Sequence, residues 1–379
     1  MDFQELKELI KTNLKDAEIE VTDLTGTQDH LGITVISDAF KGKMLLQQHQ
    51  MIMDILKEKL KSGYADQLKT DSIGNLIVHI PGNGPKVMVS AHMDEIGLIV
   101  THIDSNGFVR FGTLGGFDWK TLINQQVCIH GKETVTGVIG SKAVHVMTDE
   151  EKKKNLSTEQ LFIDTGMKAD DLKKNVSVGD TITRHKPLTE IGDCVSSKAL
   201  DNRASVYLLL ELLLSDEFNP QCDFYGVFTV QEEVGLRGAR IAADAIRPDI
   251  GINLDITIAN DTPGSEEHKA CTRLGDGAAL KVMDSSVIST PALNRFIESI
   301  AEKEEIPLQK EILTAGGTDT SALQYLTGLG AQVTCISTPV RYVHSPVETA
   351  SKNDIDAAFN LLSAAVNAIH TYDYTQTYQ

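Results

Sequence analysis

The sequence predicts an α/β protein: a layered domain on a central, mostly parallel sheet, interrupted by a β-rich insertion and preceded by a small α+β unit. Three observations lead there. After residue 198, apolar strand-like runs alternate with helical patterns, the grammar of a layered α/β domain. Between about 97 and 188 the chain carries many short β-like runs punctuated by glycine. Residues 1–64 have helix and strand signals of their own. The implied division is 1–64, then 65–96 together with 189–379, with 97–188 as the insertion.

In the first unit Phe3, Leu6, Ile10 and Leu14 recur at helical spacing. Ile19–Val21 and Leu31–Ile36 alternate as strands around the turn-rich Thr25–Asp29, and a second helix is expected from about Met44 to Leu60. Asn75–Ile80 and Val87–Ser90 then read as strands joined by Pro81-Gly-Asn-Gly-Pro85. Within the insertion, Phe108–Phe111 and Val127–His130 are typical strand pieces, and Asp149–Lys154 is the one helix-and-charge stretch, read as a solvated face. Beyond it come helix 202–214, strand Tyr225–Val230, a helix after Gly235, and strands Ile250–Leu254 and Ala279–Met283. Helices 291–304 and 319–327, strand Gln332–Ile336 and a closing helix over 353–370 complete the pattern.

Composition narrows the function. With 379 residues, 41% hydrophobic and 23% charged, the chain is an ordinary soluble type, large enough for two or three domains. A net charge of −18 argues against nucleic acid as a partner and leaves peptides, cations and small molecules. The opening residues do not form a secretory signal, and Val206–Leu214 is too short to cross a bilayer and is interrupted by Glu211, so no membrane association is expected. Cys128, Cys194, Cys222, Cys271 and Cys335 lie far apart without a CxxC pair, which predicts buried thiols and a cytoplasmic protein.

Five segments place ionisable residues where apolar strands are expected to stop: His92 and Asp94, Asp201, Glu232 and Glu233, Asp255, and His344. Ligands of open α/β sheets bind beyond the carboxyl ends of the strands, so distant segments can converge there. Imidazole and carboxylate suit zinc, cobalt and manganese, and two histidines with three carboxylates can hold two ions if one carboxylate bridges. In the doublet Glu232-Glu233, one carboxylate can ligate while the other acts as general base. Asp94, two residues past His92, is placed to orient its imidazole. Each piece alone has a plainer reading: a strand-end Asp often caps the next helix, an acidic doublet is usually surface charge, and a His before Ser-Pro is often a loop residue. Their coincidence on successive strand ends favours a metal centre. His79, His102, His130, His145, His185, His268 and His370 have no such partners and read as structural or surface residues.

The motifs Thr70-Asp-Ser-Ile-Gly-Asn-Leu76, Ala91-His-Met-Asp-Glu-Ile-Gly97, Gly137-Val-Ile-Gly-Ser-Lys142, Ala199-Leu-Asp-Asn-Arg203, Gln231-Glu-Glu-Val-Gly235, Gly316-Gly-Thr-Asp319 and Arg341-Tyr-Val-His-Ser-Pro346 together resemble the tetrahedral aminopeptidases. These are dinuclear metallopeptidases of the glutamyl and leucyl aminopeptidase type. The resemblance runs from about residue 65 to the end of the sequence. It implies two divalent metals, zinc or cobalt foremost and manganese as a third option. His92 and Asp255 would hold one, Glu233 and His344 the other, with Asp201 bridging and Glu232 as general base. It also implies a β-barrel-like insertion used in dimer contacts and a homo-oligomer, in the family often a hollow dodecamer. Gly316, Gly317, Thr318 and Asp319 would shape the substrate pocket, or else form a helix start capped by Thr318.

The beginning departs from that family. Val21–His30, Val35–Lys43 and Gln47–Gln50 instead resemble BolA-like proteins, which partner monothiol glutaredoxins and whose histidines can share an iron–sulfur cluster. His49 matches the family position, and His30 is a second candidate. Three functions follow: a peptide-cleaving aminopeptidase; a BolA-type iron–sulfur regulator with an inactive peptidase half; and a dinuclear hydrolase of acylated amino acids or carbohydrates.

Overall fold

The structure, a computed structural model, describes residues 11–12, 14–23, 31–36, 67–150, 158–215, 217–325 and 330–375. The chain divides into two units, 1–66 and 67–379. In the first, β1 (Glu18–Asp23) and β2 (Leu31–Ile36) pair antiparallel, with Glu18 opposite Ile36 and Asp23 opposite Leu31. Both expected strands are present. Leu14 and Ala17 ahead of them are buried. The helix expected over 44–60, most of the first helix, His30 and His49 lie outside the described residues.

The second unit opens with β3 (Gln67–Thr70), β4 (Leu76–Ile80) and β5 (Lys86–His92). The chain then leaves for the insertion: β6 (Gly97–Ile103), β7 (Val109–Leu114), β8 (Gln126–His130), β9 (Thr134–Ser141), β10 (Leu161–Asp164), helix α1 (Ala169–Asn175) and β11 (Thr181–Arg184). Six strands close into a barrel in the order β10-β7-β6-β11-β8-β9, all antiparallel. Alternation turns Val127 and Ile129, Val135 and Ile139, and Leu161 and Ile163 inward, and closure leaves no open edge. Helix α1 was not expected from the pattern. Its Leu172 is fully buried in the barrel core, and Asp170 and Asp171 in the first turn with Lys173 and Lys174 in the last complement the helix dipole. Of the stretch read as a solvated face, 151–154 lies outside the described residues.

After the barrel come β12 (Thr189–Ile191), β13 (Cys194–Ser197), α2 (Leu200–Leu214), β14 (Asp223–Thr229), α3 (Arg237–Ile246), β15 (Ile250–Ile258) and β16 (Ala278–Met283). Then follow α4 (Pro291–Lys303), β17 (Leu308–Ile312), α5 (Asp319–Tyr325), β18 (Gln332–Arg341), β19 (Glu348–Ser351) and α6 (Lys352–Ala368). The large sheet runs β12-β13-β19-β18-β15-β5-β14-β4-β3, with β16 against β18 and β17 beyond it. Its core, β18-β15-β5-β14, is parallel, and antiparallel strands flank it on both sides. Six of seven β5 positions are buried, because a central parallel strand is covered on both faces. Parallel strands all finish at one edge, so β5, β14 and β18 deliver their following turns to the same place. All five cysteines are free, and no described helix is long and apolar enough to cross a membrane.

Candidate metal centre

His92 is the last residue of β5 and is 2% exposed. Asp255 was expected where its strand stops, but β15 continues three residues further, to Ile258. It is usable because β5 pairs with β15 only as far as Ser90 opposite Asn253. Beyond that pair the β5–β15 ladder stops although β5 runs on to His92, so Asp255 lies beside His92 while β18 stays paired on its other side, with Ser337 opposite. Asp201 sits near the start of α2 in a non-helical conformation, φ −77° and ψ 101°, and its peptide bond to Asn202 is cis.

Glu232 and Glu233 lie in the turn between β14 and α3, where Gln231 (φ 59°) and Leu236 (φ 57°) are left-handed. An asparagine clamps this turn. Asp71 Oδ1 accepts the backbone N–H groups of Ile73, Gly74 and Asn75 at 2.9–3.1 Å, shaping the loop before β4. The fully buried Asn75 donates to Asp71 Oδ2 (2.6 Å) and Gly238 O (2.9 Å) and accepts from Val230 N–H (3.0 Å). A Cβ at Gly238 would lie 2.3 Å from both Asn75 Oδ1 and Val230 O, so only glycine permits this approach. The Asn202 amide donates to Leu254 O (2.9 Å), beside Asp255, and Arg203 Nε donates to Met93 O (2.9 Å), beside His92.

The six side chains meet. His92 Nε2 lies 3.2 Å from Asp201 Oδ1, 3.7 Å from Asp255 Oδ1 and 4.0 Å from Glu232 Oε2. His344 Nε2 lies 3.3 Å from Asp201 Oδ2 and 3.4 Å from Glu233 Oε2. Two groups can each surround a cation, His92 with Glu232 and Asp255, and Asp201 with Glu233 and His344, with ligand atoms in each within 4.8 Å of one another. Glu233 Oε1 is buried with no hydrogen-bond partner among the described residues, as expected of an oxygen reserved for a ligand. Among the described residues no other histidine enters such a group; His79, for one, pairs with Asp223 (2.7 Å) and stacks on Tyr225.

The charge balance points the same way. Burial pushes the Glu232 carboxyl well above its usual range, and Asp255, Asp319 and Glu233 add to the rise against the opposing pull of His92. Burial also raises Glu233. Burial disfavours the Asp201 anion, but His344 and His92 outweigh it and hold this carboxyl below its usual range. His344 is desolvated yet carried up to about 10 by Asp201 and Glu233. Carboxylates outnumber imidazoles in this buried space, so cations are the natural complement.

Asp94, expected to orient the His92 imidazole, meets it mainly through its backbone. The nearer partner of His92 Nδ1 is the backbone oxygen of Asp94 at 3.1 Å, with the carboxylate at 3.7 Å. The carboxylate instead accepts the N–H groups of Glu232 (3.0 Å) and Glu233 (3.1 Å). Gly316 and Gly317 are exposed; Gly316 O accepts the Ser285 N–H at 3.2 Å. The Thr318 hydroxyl turns to Asp284 and Thr320. Asp319 is fully buried, accepts the Thr229 hydroxyl at 2.6 Å, and is pushed up to about 7 by burial.

The sequence reading missed Glu348. It is 1% exposed and accepts the N–H groups of Asp201 and His344, both at 3.0 Å. Burial, then Asp201, pushes its carboxyl up to about 8. Its only sequence signal was its place four residues after His344, at the start of the short buried strand β19.

Residues 74–361 match the family described as M42 glutamyl aminopeptidase, and residues 10–73 match that of BolA-like proteins. The BolA-like match runs into β3, which here extends the large sheet beside β4. A putative aminopeptidase of Acetivibrio thermocellus is 43% identical over 320 residues, covering 83% of this chain and 92% of that protein. The TET aminopeptidase of the marine sediment archaeon Thaumarchaeota archaeon SCGC AB-539-E09 superposes with a TM-score of 0.79 at 31% identity, over 96% of both chains. The TET1 peptidase of Pyrococcus horikoshii, which can assemble into a tetrahedron or a large octahedral shell, superposes with a TM-score of 0.73 at 31% identity, over 84% of this chain and 93% of that one.

Proposed function

Because the chain belongs to the M42 aminopeptidase family, metallo-exopeptidases that remove N-terminal residues, we propose that its buried His/Asp/Glu groups hold two divalent cations. Zinc or cobalt is the favoured identity, with manganese the third option. His92 and Asp255 take one cation, Glu233 and His344 the other, and Asp201 lies between them. The observation that carries this reading is Asp201 itself, whose two oxygens face the two imidazoles at 3.2 and 3.3 Å.

Such a cation pair supplies a polarised scissile carbonyl and an acidified water. Glu232, 9% exposed and held by its backbone, receives the proton from that water and passes it to the leaving amine. The acidic walls favour the free α-amine of a peptide, and the exposed Gly316-Gly317 segment with Thr318 and Asp319 forms the adjoining pocket wall. In a test, chelator-stripped protein is titrated with zinc or cobalt while amino-acid release from a free and an N-acetylated peptide is followed. Two equivalents should restore release from the free peptide alone. Equal cleavage of the acetylated peptide would overturn this reading.

Likeness to the shell-forming TET1 peptidase supports a homo-oligomer built from dimers, extending to a dodecamer, with the 97–188 insertion in the dimer contact. Mass determination in solution tests it. Five free cysteines support a cytoplasmic location. The BolA-like match supports docking of a monothiol glutaredoxin on the N-terminal unit, with His49 as a cluster ligand. Titration with glutaredoxin carrying an iron–sulfur cluster, comparing the intact protein with His49→Ala, tests it.

A further inference from the structure

His344 is held in an unfavourable backbone conformation by residues from three directions. Its φ is 61° and that of Tyr342 is 60°, both in the left-handed region that non-glycine residues seldom occupy. Such a turn persists only when its surroundings fix it. The N–H of His344 is taken by Glu348. Its carbonyl oxygen accepts a hydrogen bond, at 3.1 Å, from Nη1 of Arg184, 160 residues away on the last position of β11. The barrel also approaches through the segment after β7: a Cβ on Gly116 would lie 3.5 Å from His344 Nδ1, and one on Gly115 would lie 3.4 Å from Glu233 Cβ.

Arg184 is 3% exposed. Its guanidinium sits over the Phe117 ring, 5.5 Å from the centroid, and its Nε and Nη2 are buried without a hydrogen-bond partner among the described residues. Glu348, Glu95, Glu233 and Asp201 surround it closely enough to act on its charge. Arginine suits this place because one planar group can stack on an aromatic ring, donate to a carbonyl and offset several carboxylates.

We propose that Arg184, supplied by the inserted barrel, is a positioning residue that fixes the His344 turn and so sets the affinity of the Asp201–Glu233–His344 group for its cation. The barrel thereby forms part of the catalytic apparatus in addition to any role in assembly. The proposal rests on the two-cation reading. It predicts a selective defect, because the His92–Asp255 side makes no contact with Arg184 in the hydrogen bonds around it.

The test is a direct titration of chelator-stripped full-length protein with cobalt, read by calorimetry and by the visible absorption of each bound equivalent. Arg184→Ala should bind one of the two equivalents about 10- to 100-fold more weakly, with an altered spectrum for that equivalent and the other unchanged. Arg184→Lys keeps the charge but loses the planar stack, and should show a smaller defect in the same equivalent. It also serves as the comparison if Arg184→Ala does not fold. Both equivalents binding as in the intact protein, or both weakened alike, would overturn the proposal. Uptake of fewer than two equivalents by the unaltered protein would instead remove the two-cation reading, and this proposal with it.

Discussion

Asp94 holds Glu232 by its backbone: Asp94 Oδ1 accepts the Glu232 N–H at 3.0 Å, while Oδ2 takes the neighbouring N–H of Glu233. One carboxylate therefore fixes the turn that presents both acids. Asp94→Ala leaves both N–H groups without that acceptor. Turnover on an aminoacyl anilide should fall by about 10- to 100-fold, as for loss of groups supporting metal ligands. Unchanged turnover would remove Asp94 from the site's support.

Glu232→Gln keeps the shape of the side chain but cannot take a proton. Metal uptake should persist while kcat falls by about 10²- to 10⁴-fold, the usual worth of general acid–base catalysis. Near-normal kcat in the fully metal-loaded variant contradicts the assignment of the base.

Glu348→Ala strips acceptors from two N–H groups, those of Asp201 and His344. Each unpaired buried group costs about 1–3 kcal/mol. Urea unfolding of the metal-free protein should register that loss together with weaker metal binding. A loss of stability without any change in metal affinity would make Glu348 purely architectural.

Lys281, 1% exposed, pairs with Glu311 and lies 3.3 Å from Asp284, and Glu311 also accepts the Ser337 hydroxyl at 2.6 Å. Lys281→Met would strand two carboxylates in the interior. Breaking a buried pair from one side costs about 3–5 kcal/mol, so a marked drop in the urea midpoint is expected. A midpoint equal to that of the unaltered protein would show that the two acids become neutral at little cost.

Arg341 donates from Nε and Nη2 to the two oxygens of Asp261, both at 2.6 Å, and holds the Asp261 carboxyl below its ordinary 3.8. The folded-state value is the lower one. The pair's stabilisation is therefore present above the unfolded value and disappears as pH falls through the folded value. Asp261→Asn should lower stability at neutral pH and flatten its decline below about pH 4. Parallel acid-unfolding curves for the two proteins would contradict this.

Much of the fold was legible in the residues. Apolar runs separated by helical patterns marked the strands of the sheet core, and the glycine-punctuated stretch marked the insertion, because burial on both faces leaves a continuous apolar run and burial on one face leaves an alternation. Short flanking strands such as β3, β13, β17 and β19 went unseen, since four or five residues carry too little pattern to stand out. Helix α1 was missed for a related reason: a single fully buried Leu172 anchors it, with no repeat to announce it.

The sequence by itself determined which residue types could do the chemistry and roughly where strands would deliver them, so His92, Asp201, Glu232, Glu233, Asp255 and His344 were nameable before any coordinates. Only the tertiary structure decided how they are held. Asp255 serves from inside a strand because the pairing of β15 with β5 stops two residues before it. Asp94 acts through the backbone of Glu232, and Glu348 and Arg184 grip the two backbone groups of His344. Those relations join groups with no periodic signature in the chain, through hydrogen bonds that exist only once the sheet and barrel have closed around them.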